Sequence, residues 1–116
     1  MTNFYLPESE LAVLVNVGVA FQSDLEKVEK VTIEVAREVL QETEGAVKEF
    51  QPFIRYNAFG ESSINFTVIL RAKEYADQYL IVHEFIKRLH RRYQLEGIII
   101  PFATRTVYIK DQISKS

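Results

Sequence analysis

The stretch from Phe59 to Lys73, FGESSINFTVILRAK, restricts the fold more than any other part of the chain. Its second half alternates. Ile64, Phe66, Val68, Leu70 and Ala72 fall on one side, and Ser63, Asn65, Thr67 and Arg71 on the other, with Ile69 the one apolar residue out of step. A period of two is the mark of a half-buried β-strand. Its first half reads as a turn, because Gly60 tolerates φ > 0 and Ser62 and Ser63 can bond the local backbone. Phe50 to Asn57 reads as a preceding strand, so a hairpin lies at the centre. Pro52 removes one ladder donor from that strand and marks it as an edge.

The flanks repeat a strand-and-helix order. In Leu11 to Phe21 the residues Leu11, Val13, Val15, Val17, Val19 and Phe21 share a bulky face. Ala12, Leu14, Asn16, Gly18 and Ala20 share a thinner one, as expected of a central strand. Ser23–Glu26 has the pattern of a capping box. It opens a helix whose apolar stripe is Leu25, Val28, Val31, Val35 and Val39, and which Gly45 is placed to end. After Lys73 the period returns to 3.6. Tyr79, Val82, Phe85 or Ile86, Leu89 and Tyr93 form one face, Asp77 is a candidate N-cap and Gly97 a stop. Thr104 to Ile109 reads as a last strand.

The order βαββαβ, with right-handed crossovers, predicts an α+β, ferredoxin-like two-layer sandwich. Its four-stranded antiparallel sheet would run in the order 4-1-3-2, with helices near residues 23–44 and 76–96 on one face. The expected organisation is a lead-in over 1–10, one domain over 11–111 and a tail over 112–116.

Composition narrows the function. With 14 basic and 16 acidic residues the net charge is −2, which argues against a nucleic-acid partner. No cysteine is present, so a disulfide framework, a thiolate nucleophile and Cys-ligated metal are all excluded. The longest apolar run, Leu11 to Val15, is far short of the ~20 residues that span a bilayer. His83 and His90 are seven apart, not the i, i+4 of a helical metal pair, and read as surface histidines. Ser62 and Ser63 have no histidine within reach and read as turn residues. The run Arg88 to Tyr93, RLHRRY, offers charge for a phosphate but reads better as a solvated helix end. No P-loop or G-x-G-x-x-G occurs. The expectation is no turnover chemistry, with no catalytic, cofactor-binding or metal-ligating residues. With both helices on one side, the sheet's other face would show Ala12, Leu14, Gly18, Ala20 and Ile69, a partly apolar surface suited to a neighbouring subunit or domain.

Three blocks then carry a resemblance. Gly18 to Asp24 (GVAFQSD), Gly60 to Phe66 (GESSINF) and Gly97 to Phe102 (GIIIPF) closely resemble the "GVAYDSD", "G-x-SSINF" and "GI-x-IPFP" patterns of the C-terminal cytoplasmic domain of the small-conductance mechanosensitive channel (MscS) family. The likeness covers about residues 11 to 110, and departs at Ala103 and Thr104, where the family commonly has Pro-Gln. The resemblance implies a piece of a channel whose transmembrane helices and small β-domain precede this domain, with Met1 to Tyr5 as the tail of that β-domain. It implies a homo-oligomer of seven subunits enclosing a cytoplasmic vestibule, crossed by ions and small solutes, in a pathway that relieves osmotic stress. The family's pore helix and its closing C-terminal strand are not evident. The piece alone would not enter the membrane, and would be monomeric or weakly associating. A second reading stays open: a free-standing ferredoxin-like module that binds a ligand or regulates a partner.

Overall fold

A computed structural model describes residues 10–101. Within them the order is β1 (Leu11–Ala20), α1 (Leu25–Glu42), β2 (Phe53–Phe59), β3 (Ser63–Ala72) and α2 (Asp77–Glu96). The strands form one antiparallel sheet in the order β1-β3-β2. The described sheet thus has three strands, not four. Their order agrees with the expected one, and the fourth strand, Thr104 to Ile109, lies outside the described residues. So do most of the 1–10 lead-in and the whole 112–116 tail.

Alternation sets which face of each strand meets the core. Val13 lies opposite Leu70, Val15 opposite Val68 and Val17 opposite Phe66. A slip of one residue would turn all these side chains to the other face. Val13, Val15, Val19, Phe66, Val68 and Leu70 join one core with Val28, Val31, Val35 and Val39 of α1. From α2 come Ile81, Phe85, Leu89 and Tyr93, so both helices cover the same face of the sheet. The helices run antiparallel: ion pairs join Glu42 to Arg88, Glu34 to Arg92 and Lys27 to Glu96. Inside the seam the hydroxyls of Thr32 and Tyr93 meet in a buried hydrogen bond.

Several local expectations are corrected. The cap of α1 is Asp24, not Ser23. Its Oδ1 accepts from the amides of Glu26 at 3.1 Å and Lys27 at 3.3 Å. A carboxylate there satisfies two free amides and also suits the helix dipole. The helix ends at Glu42 with Thr43 as its C-cap, so Gly45, at φ 89°, serves the turn that follows. In α2 the N-cap is Ala76. Asp77 is the first helical residue, and its Oδ2 accepts from the Glu74 amide at 3.2 Å, closing the preceding turn. Gly97 stops α2 as expected, left-handed at φ 74°.

The buried stripe of α2 is Ile81, Phe85, Leu89 and Tyr93. Tyr79 is 61% exposed and Ile86 52%, so the helix is rotated from the expected face. Strand β2 begins after Pro52 rather than spanning it, and a bulge between Tyr56 and Ala58 extends it to Phe59. Gly60 does not use positive φ. Its role is space, since a Cβ there would sit 2.7 Å from Ser63 Oγ. The Gly60 amide donates to the Ser63 carbonyl at 2.6 Å to close the turn.

Candidate interaction surface

The sheet face away from the helices is organised in cross-strand rows. Leu14, Ile69 and Phe53 are register partners and form an apolar row, with Leu14 62% exposed. Beside it, Asn16 and Thr67 are partners, and Thr67 also pairs with Arg55. The bulge leaves Asn57 extra in β2 and lets its Nδ2 donate to Thr67 Oγ1 at 2.8 Å. Thr67 Oγ1 donates in turn to Asn16 Oδ1 at 2.9 Å. The result is a polar ladder across all three strands. Ala12, Leu14, Gly18 and Ile69 lie on this face as expected. Ala20 shares it by strand register, opposite Ser63, but is buried, and its amide donates to the Ile99 carbonyl at 2.9 Å as the chain returns from α2.

Two arginines are tied down by aromatic rings at this face. Arg55 lies 4.7 Å from the Phe53 ring and Arg71 5.2 Å from that of Phe50. Arg71 also meets Glu10 at 3.4 Å. Above Gly18 lies an open depression of about 470 Å³ that includes Asn16, Asn57 and Asn65. A Cβ at Gly18 would come within 2.7 Å of Asn65 Oδ1, so glycine is what leaves room for that amide. Asn65 is held in turn by the Ser63 hydroxyl at 2.8 Å.

The residues weighed for chemistry are dispersed. Ser62, His83 and His90 are exposed, and Ser63 is committed to Asn65. Among the described residues no group of three or more His, Cys, Asp or Glu could hold a metal ion. Within RLHRRY, Arg88 contacts Glu38 at 3.0 Å and Glu42 at 2.8 Å, and Arg92 contacts Glu34 at 2.6 Å. Their hydrogen bonds to those carboxylates, ahead of the opposing cost of desolvation, hold both guanidiniums above the ordinary arginine pKa. Both guanidiniums are thus engaged by carboxylates, while Arg91 between them is exposed. No helix among the described residues is long and apolar enough to cross a membrane.

The three sequence blocks converge at one corner of this sheet. Gly18 pairs with Asn65 and Ala20 with Ser63, and Ile99 bonds to Ala20. The family model for the C-terminal domain of the mechanosensitive ion channel MscS matches residues 13–100, which take in most of the described fold. The chain belongs to the MscS family.

This MscS domain is 33% identical over 97 residues to a small-conductance mechanosensitive channel of Helicobacter pylori, spanning 84% of this chain and 34% of the relative. It is 27% identical over 97 residues to an uncharacterized MscS family protein of Archaeoglobus fulgidus, spanning 84% and 32%. The chain therefore spans about a third of the length of these curated relatives. The crystal structure of closed-state H. pylori MscS superposes with a TM-score of 0.63 at 28% identity, over 90% of this chain and 40% of that one. The cryo-EM structure of Arabidopsis thaliana MSL1 gives 0.61 at 12% identity, over 82% and 35%, and so shares the fold.

The polar ladder is what reading the sequence missed in this MscS domain. A signal for it existed, since Asn16, Asn65 and Thr67 share the face opposite the core by parity. Asn57 joins them only through the bulge.

Proposed function

We propose that the chain is the cytoplasmic vestibule domain of an MscS-like mechanosensitive channel. It contributes to assembly of the channel's subunits, seven in the full protein, and to filtering of ions and small solutes during osmotic-stress relief. The observation that carries the reading is the likeness to closed-state H. pylori MscS over 90% of this chain. The open sheet face supports it: an apolar row beside a polar ladder suits contact with a neighbouring subunit or domain. On this reading the domain turns over no substrate and needs no cofactor.

The test is made in the full-length parent channel, produced in cells stripped of their own mechanosensitive channels. Deleting residues 11–101 is expected to abolish the stable oligomer seen by native mass spectrometry, together with survival of hypo-osmotic shock. Unchanged assembly, survival and solute permeability in the deletion would overturn the reading.

A further inference from the structure

We propose that the outer seam between α1 and α2 is an ionic-strength-responsive clasp, a charge zipper that holds the two helices most firmly in dilute salt. The salt response stands on the ion pairs themselves; only its role in a channel rests on the proposed function.

Along α1, Glu34, Glu38 and Glu42 recur every four residues, so they stack on one face. Like charges at that spacing repel. Across the seam Arg88 meets Glu38 at 3.0 Å, Glu42 at 2.8 Å and Glu84 of its own helix at 3.4 Å. One turn on, Arg92 meets Glu34 at 2.6 Å and Glu96 at 3.0 Å. Lys27 closes the far end against Glu96 at 3.6 Å. Hydrogen bonding to Arg92 is the leading cause that holds the Glu96 carboxyl below its ordinary pKa.

Single exposed ion pairs contribute little, and networks with shared charges are the exception. Here the arginine side chains are only 22% and 31% exposed. The zipper is also unbalanced, with five carboxylates around four cations, of which Lys87 reaches only Glu84, at 4.0 Å, and Lys27 only Glu96. Its net attraction therefore depends on both arginines. Without them Glu34, Glu38 and Glu42 lose the partners described for them, and α2 offers this acidic ridge only the lysine-paired Glu84 and Glu96. Salt acts on both situations because the screening length shrinks from about 8 Å at physiological strength to about 3 Å at 1 M. Screening weakens the clasp when it is intact, and relieves repulsion when it is not. In a channel that answers osmotic stress, the stiffness of this helix pair would follow the salt content of the solution around it.

The experiment is thermal unfolding of the 116-residue chain between about 0.05 and about 1 M NaCl. The wild-type Tm is expected to fall by on the order of 4 °C as salt rises. In Arg88→Gln/Arg92→Gln the slope is expected to change sign, with Tm rising. Arg37→Gln/Arg91→Gln removes the same charge from two exposed arginines that form no ion pair among the described residues, and is expected to keep the wild-type slope. If the Arg88/Arg92 variant does not fold, Glu38→Gln/Glu42→Gln serves instead. It lowers repulsion and attraction together, and is expected to flatten the slope. A wild-type Tm indifferent to salt, or slopes of the same sign and size in wild type and in whichever zipper variant folds, overturns the proposal.

Discussion

At the scale of single residues, Phe66 carries the largest stake. It is 1% exposed, at the centre of β3, with the Tyr56 ring edge-on at 5.4 Å. Truncating it removes a large side chain from a packed layer and leaves a cavity. We expect Phe66→Ala to cost about 3–5 kcal/mol in chemical denaturation. A loss under about 1 kcal/mol would remove Phe66 from the core. Tyr93 supplies a second prediction. Burial, outweighing the opposing bond to Thr32, pushes its phenol up to about 12. A pKa raised in the folded state means that the neutral form is favoured there. That stability is complete below pH 10 and lost as pH rises through 12. Between those values unfolding should become easier by on the order of 2 kcal/mol from this group. Tyr93→Phe, which cannot ionise, should show a shallower alkaline decline in pH-dependent denaturation.

At the scale of elements, the strands were more legible than the helix faces. The alternation in Leu11–Ala20 and Ser63–Ala72 specified the core side, because one face of each is nearly all Val, Ile, Leu and Phe; the pairing of Val15 with Val68 is visible only in the structure, since a slip of two residues would keep the same faces. In α2 the run Tyr79-Leu80-Ile81-Val82 offers four apolar candidates in succession. Periodicity cannot choose among them; packing against the valines of α1 does. Tyr79 instead bonds the Tyr75 hydroxyl at 3.0 Å in solvent. The open face was half legible: Leu14, Gly18 and Ile69 follow from parity, whereas Asn57 reaches the ladder through a bulge that no spacing announces. The start of α1 was off by one because Ser23 and Asp24 are both good caps. The geometry makes the pair testable. Asp24→Ala should cost about 1 kcal/mol and Ser23→Ala close to nothing in thermal or urea unfolding. Equal costs would restore the serine to the cap.

At the scale of the whole molecule, the question is what this domain does without the rest of a channel. The open face mixes an apolar row with hydrogen-bonded amides, and the helix face is charged. Contacts below roughly 1,200 Å² of buried area are typically weak, and tethering to other domains raises effective concentration. We expect the isolated chain to sediment as a monomer or a weakly associating species at micromolar concentration. A stable ring of seven would place the assembly code in this domain alone. We also expect no robust hydrolase or transferase activity. Purification-resistant turnover that vanishes on mutating Ser62, Ser63, His83 or His90 would reverse that expectation.

The hydroxyl pair inside the helix seam has a consequence of another kind. Val28, Val31, Val35 and Val39 are near-identical knobs, and a ridge of identical knobs fits its groove almost as well after sliding one turn, about 5.4 Å. Thr32 and Tyr93 break that degeneracy. Only one alignment brings the two oxygens together. Every neighbouring alignment strands both in hydrocarbon, at a cost of about 1–3 kcal/mol for each unmet group. The contact thus works less as glue than as an address: it adds little to the correct arrangement and much to the penalty on wrong ones. Replacing both residues at once, Thr32→Val with Tyr93→Phe, should leave stability nearly unchanged while broadening the side-chain NMR spectrum of the seam.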